Sequence, residues 1–171
     1  FTYSLNHKMG DLDLTFGGAN STYSGQHYGN VIWAQYSGNA SLNHQYYWNK
    51  AEKLDNNFFA KANYKYSEST QVYIDLQRRI IDYVFEGLDA NGNPAEQEIN
   101  LQFFNPKFGL HHTLNKNQVI YASFGVANKE PNRTDYTESS ADSRPTHETL
   151  YDTEVGYKQV GDKMTFGANF Y

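Results

Sequence analysis

The chain has no cysteine among its 171 residues, which excludes both a disulfide framework and a thiolate metal site. It has no run near the ~18 apolar residues that a membrane helix needs. Basic residues are short: 14 Lys and Arg stand against 19 Asp and Glu, a net charge of −5 that argues against a nucleic-acid partner. No charged-then-apolar leader opens the chain, since Phe1-Thr2-Tyr3 already reads as strand. What is abundant is aromatic: 15 Tyr and 11 Phe contribute to a 16% aromatic content, too rich for disorder despite a mean hydropathy of −0.77. A chain that is polar on average, aromatic and alternating fits a membrane β-barrel, whose strands share a lipid face and a watery lumen. On composition alone a soluble β-sandwich also fits.

Period-two alternation predicts strands near 1–7, 11–19, 58–66, 71–86, 97–113, 118–127, 150–158 and 164–170. In the 71–86 stretch Val72, Ile74, Leu76, Ile80 and Val84 share one face, with Asp75, Gln77, Arg79, Tyr83 and Phe85 on the other. Arg78 and Asp82 interrupt the apolar face, so its first half alone is expected to face membrane. In 97–113 the apolar parity switches from Ile99, Leu101 and Phe103 to Phe104, Phe108 and Leu110. A bulge near Phe103-Phe104-Asn105, beside Pro106, is the expected cause.

The connections alternate in length. Lys8-Met9-Gly10, Ser67-Glu68-Ser69, Leu114-Asn115-Lys116-Asn117 and Val160-Gly161-Asp162 are tight, whereas Asn20 to Asn57, Gly87 to Glu98 and Asn128 to Thr149 are long. Outer-membrane barrels have short periplasmic turns and long external loops. The fold class expected is therefore all-β, an antiparallel transmembrane β-barrel segment of about eight strands. Counting directions puts both chain ends on the external side, as in a segment cut from a larger barrel. Pairing of the first and last strands would instead indicate a complete eight-stranded barrel.

Several pieces in order then carry a family resemblance: DLQRRIIDY (75–83), NPKFGL (105–110), the strand through Ile120-Tyr121-Ala122-Ser123-Phe124, Glu130-Pro131-Asn132-Arg133, and LYDTEVGYK (150–158). Together they resemble the later barrel strands of TonB-dependent receptors, over nearly the whole chain. The resemblance implies a gated transporter of the Gram-negative outer membrane, embedded in outer-membrane lipid. It also implies uptake of a small-molecule or metal-chelate ligand such as an iron-siderophore, haem or cobalamin. Energy would come from TonB through an N-terminal plug region that these residues do not include, so this piece alone should transport nothing. Two alternatives stay open: a complete small barrel with a structural or adhesion role, and a soluble carbohydrate-binding β-sandwich.

Candidate ligand contacts lie in the expected external loops and rim: His27, Tyr28, Trp33, His44, Tyr46, Trp48, Arg133 and His147. With Tyr23, Tyr36 and Tyr47, these aromatics could stack on a flat ligand. They could equally build an extra hairpin around 29–36 and 42–48, packed on itself. His27, His44 and His147 have the chemistry of haem-iron ligands but no paired spacing. His111-His112 straddle a strand and cannot share a metal, and no metal or cofactor is expected. The polar residues Asp75, Gln77, Arg79, Lys107, Asp152 and Glu154 are expected to line the lumen, where ion pairs between strands suit them better than acid–base catalysis. No catalytic residue is assigned. Asp89-Ala90-Asn91-Gly92-Asn93-Pro94 begins like a calcium loop but lacks its glycine and terminal Glu, and reads better as a turn. Three N-x-S/T triplets, at Asn20, Asn39 and Asn132, fit chance in an Asn-rich chain. In ANKEPNRTDY (127–136) Pro131 is expected to end strand pairing, leaving Lys129, Glu130 and Arg133 at the rim as ion-pairing or ligand-contacting groups.

Overall fold

Each alternating stretch forms a strand. The computed structural model describes residues 1–171 apart from 37, 39, 40, 90, 95, 138, 140 and 141, so the triplet at Asn39 lies outside the described residues. The strands are β1 (Thr2–Met9), β2 (Leu12–Val31), β3 (His44–Lys65), β4 (Thr70–Gly87), β5 (Gln97–Asn115), β6 (Gln118–Lys129), β7 (Glu148–Val160) and β8 (Thr165–Phe170), with one short helix, α1 (Arg133–Thr137), before β7. They form a single antiparallel sheet in sequence order. All four tight turns lie at one end of it and the three long connections at the other.

Among the described residues nothing pairs β1 with β8, so the sheet does not close on itself. That removes the reading as a complete eight-stranded barrel, and a single sheet removes the sandwich. The β2–β3 connection is shorter than the expected Asn20–Asn57. β2 and β3 run on as one hairpin to the pair Val31↔His44, so the open connection spans only 32–43. β2 to β5 have 20, 22, 18 and 19 residues, about twice the ~9–11 that cross a bilayer.

Residues directly opposite in a ladder share a face. The register Asn57↔Arg79↔Phe103 therefore puts the odd-numbered residues of β3, β4 and β5 on one side, called the inner face because α1 packs there. The two faces change character halfway along. Toward the tight turns the outer face is apolar (Phe58, Ile74, Leu76, Phe108, Leu110, Phe124, Val155), and all of these side chains are exposed. There the inner face is polar. Beyond Arg78 the outer face is mostly polar, with Leu54, Ile80 and Val84 interspersed: Arg78 donates to Gln102 Oε1 at 3.0 Å, Asn100 donates to Asp82, and Lys50 pairs with Glu52 at 2.5 Å. The inner face becomes the core, with Ala51, Ile81, Phe85, Ile99 and Phe103 buried.

This inversion corrects the expected bulge. The β4–β5 register runs without a break from Phe85↔Gln97 to Thr70↔His112, so Phe103, Phe104 and Asn105 sit in an unbroken pleat. The apolar parity switches because a different cover lies on each half: the chain's own connection on the inner side, and bare outer surface on the turn side. Pro106 marks another event. The β5–β6 ladder ends at Lys107↔Gly125, one residue away, and beyond it β6 follows β7 alone. The Asn105 side chain spans the split, accepting from the Asn128 backbone N–H at 3.0 Å and donating to Gln77 Oε1 at 2.9 Å.

Candidate functional site

The split lets the connection after β6 fold onto the inner face. Pro131 has no N–H to extend the ladder. Asn132 then precedes α1, and its backbone N–H donates to Asp135 Oδ2 at 2.7 Å, half of a capping box. Glu130 reaches the sheet between two cations, 2.6 Å from Lys53 Nζ and 3.3 Å from Arg79. Arg79 is also forked onto Asp55, with its shortest contact at 2.6 Å. One turn on, Arg133 donates to Asn49 Oδ1 and lies 5.9 Å from the Phe85 ring centroid, within cation–π range. Tyr136 completes the seat. Its ring, 2% exposed, packs with Ala51, Phe85 and Ile99, and its carbonyl accepts from Gln97 Nε2 at 2.8 Å. Burial, reinforced by Glu130 and Asp135, pushes the Tyr136 hydroxyl above its ordinary pKa.

The seat is not fully satisfied. Among the described residues, Tyr136 Oη, Arg133 Nε and Gln97 Oε1 are buried without a hydrogen-bond partner. Each such group costs about 1–3 kcal/mol when water cannot reach it.

Arg133 and His27 converge on this site. His27 stands opposite Asn49, the acceptor for Arg133, and its Nε2 is 2.9 Å from Tyr23 Oη. Partial burial, then the Arg133 guanidinium, hold the His27 pKa below its usual value. His147 also comes to the inner face, its ring edge-on to Phe103 at 5.3 Å. The other candidates go elsewhere. Tyr28 and Trp48 face each other across the outer side of the β2–β3 hairpin, and Trp33, His44 and Tyr46 are exposed at its far end. Tyr46 occupies the register shift at Gly29/Asn30. Tyr23, His27, Tyr28, His44, Tyr46, Tyr47 and Trp48 therefore belong to strands rather than to a loop, while Trp33 and Tyr36 lie beyond the end of β2: the hairpin expected around 29–36 and 42–48 pairs only as far as Val31 and His44. Among the described residues no three His, Asp or Glu side chains gather as a metal site.

Asp75, Gln77, Arg79, Lys107, Asp152 and Glu154 all lie on the inner face. Four of them hold partners within it: Asp75 with Lys61 at 3.3 Å, Gln77 with Asn105, Arg79 with Asp55 and Glu130, and Glu154 with Tyr121 Oη at 2.9 Å. Lys129 pairs with Glu148 at 3.3 Å across β6 and β7. In the loop after β4, Asp89 accepts from the backbone N–H of Asn91 and of Asn93, both at 2.8 Å, an Asx turn rather than a calcium site. Lys53, Asn49 and Tyr136 carry the site without having been singled out in the sequence. The signal available for them was the inner parity they share with Arg79, or, for Tyr136, its place one turn after the Asn-x-x-Asp cap.

No known protein-family profile matches the chain, and no curated protein does. Solved structures do. The ferric-catecholate import receptor Fiu of Escherichia coli K12, in its closed form, superposes over 97% of this chain with a TM-score of 0.69 at 12% identity. The siderophore receptor PiuA of Acinetobacter baumannii superposes over 98% with a TM-score of 0.62 at 13% identity. The fold is that of a siderophore-receptor barrel segment. The chain spans 29% of the length of Fiu and 30% of that of PiuA. Both neighbours are receptors.

Proposed function

We propose that the chain is part of the barrel of a TonB-dependent outer-membrane receptor that takes up a scarce nutrient as a chelate, an iron-siderophore being the first expectation and haem the second. The observation that carries this reading is the superposition of nearly the whole chain on siderophore receptors. The inverted faces support it: an exposed apolar outer belt suits lipid, and a polar inner face below a folded-in connection suits a gated lumen. In this reading β1 and β8 pair with further strands of the parent barrel, which satisfies their open edges. TonB engages a separate N-terminal region of the parent, and the chain performs no catalysis. The inner-face group around Arg133 and His27 is the part of the segment best placed to meet a ligand, while Tyr28, Trp48 and the hairpin tip stand outside the lumen.

The test is uptake of ⁵⁵Fe by iron-starved cells carrying or lacking the parent gene, offered as ferric siderophores and haem, with and without a proton ionophore. Gene-dependent uptake of at least one chelate that the ionophore abolishes is expected. Recovery of the parent protein in the soluble fraction, or identical uptake of every chelate in both strains, would overturn the proposal.

A further inference from the structure

The place that Glu130 and Tyr136 occupy is shaped for a carboxylate beside a flat ring. Lys53 and Arg79 supply the charge, and Ala51, Phe85 and Ile99 supply the apolar wall. Both groups that fill it come from the chain's own connection. We propose that this is a ligand site held shut by an internal occupant, and that a ligand carrying an anionic group next to an aromatic ring takes the places of Glu130 and Tyr136. The proposal rests on the receptor reading above and adds to it a ligand class and a competitor.

Three observations support displacement rather than permanent closure. First, the charges are uneven. Arg79 keeps Asp55 whether or not Glu130 is present, but among the described residues the ion pair of Lys53 is with Glu130 alone. Lifting the connection therefore leaves the Lys53 ammonium with the face of the Tyr83 ring, 5.5 Å from its centroid, and no carboxylate among the described residues, a place that calls for another anion. Second, the occupant fits imperfectly, since among the described residues Tyr136 Oη and Gln97 Oε1 are buried without partners, and a ligand with more polar groups could satisfy them. Third, the occupant hangs from the part of β6 that has parted from β5 above Lys107, so its movement breaks no β5–β6 ladder bonds.

An internal competitor lowers apparent affinity by the fraction of time it fills the site, so variants of the occupant and of the site should act with opposite signs. The probe is the ferric complex of 2,3-dihydroxybenzoate, titrated by fluorescence quenching into the purified, complete parent receptor in detergent. Glu130→Gln and Tyr136→Ala should each tighten binding by about fivefold or more. Lys53→Met should weaken it by about tenfold, with folding of every variant checked by heat-modifiable gel migration. As a readout independent of variants, probe added to the wild type should speed hydrogen exchange of residues 130–137. Binding by Glu130→Gln and Tyr136→Ala that is unchanged or weaker would overturn the inference, as would exchange that stays constant with probe bound. If the probe fails to bind while cells take up another chelate through the parent protein, the inference falls and the receptor reading stands. If no chelate is taken up, the receptor reading itself falls.

Discussion

Glu130 and Lys53 are 77 residues apart and meet at 2.6 Å, joining the connection after β6 to the middle of β3. Their side chains are 25% and 21% exposed, so the pair is partly desolvated without being sealed from water. Removing one member of a fully buried pair typically costs 3–5 kcal/mol. With this much solvent left, Glu130→Ala is expected to destabilise the docked connection by about 1–3 kcal/mol. Hydrogen exchange across 130–137 in the parent protein measures it. The double variant with Lys53→Met should lose less than the sum of the single losses, and strict additivity would show that the pair contributes nothing.

That pair also marks how far the sequence could be read. Alternation and turn chemistry revealed the eight strands, their order and the tight-then-long rhythm, because those are local patterns. The faces were harder. Ile99, Leu101 and Phe103 are visibly apolar on one parity, but the sequence does not say whether lipid or the chain's own Tyr136 and His147 cover them. A cover that changes halfway along therefore looked like a bulge. The upper hairpin was hidden for a different reason: the 20–30 stretch is rich in Asn, Ser and Gly, which are poor strand formers, and only pairing with β3 makes it a strand. Arg133 was flagged by its charge. Its acceptor Asn49 lies 84 residues away and leaves no local signal.

The change of face between Leu76 and Arg78 should behave as a membrane boundary. Ile74 and Val84 are both outer-face residues of β4, about a third to two-fifths exposed, one on each side of it. A lysine on a lipid-facing strand costs about 2–4 kcal/mol near the bilayer midplane and about 0–1 near the interface. On the receptor reading proposed above, Ile74→Lys should therefore impair assembly strongly, and Val84→Lys should barely affect it. Folded barrel recovered from outer-membrane fractions is the measurement. Equal yields for the two variants would place the boundary elsewhere.

Several inner-face glycines exist to receive a ring. Tyr73 lies directly across from Gly109, and Tyr121 from Gly156, with each ring occupying the space where a Cβ would stand. Gly125 on the same face meets only the flexible Lys107 side chain among the described residues, its Cγ at 3.4 Å and Cδ at 4.0 Å. Gly109→Ala and Gly156→Ala should force their tyrosine off its rotamer at about 1–3 kcal/mol each, the usual cost of overpacking. Gly125→Ala should stay within about 0.5 kcal/mol of the parent. Denaturant midpoints of the refolded parent barrel distinguish the two classes, and a Gly125→Ala loss matching that of Gly109→Ala would refute the distinction.

The docking of α1 should weaken in mild acid, and His27 is the group responsible. It stands opposite Asn49, which accepts from Arg133, and its Nε2 lies 2.9 Å from Tyr23 Oη, while Lys53 and Tyr83 line the same inner face below it. Partial burial and the Arg133 charge depress its pKa in the folded protein, so protonation there is harder than in the open chain. An unfolded histidine takes its proton near pH ~6.5. Below that value the open state binds more protons than the docked one, and stability falls with pH until the folded pKa is also passed. Above pH ~6.5 the stabilisation is complete. Exchange of residues 130–137 should accordingly accelerate between pH 7.5 and 5.5 by more than the chemical rate predicts. His27→Gln, which cannot gain the charge, should remove the excess. An NMR titration giving His27 a pKa above the open-chain value would reverse the sign and sink the prediction.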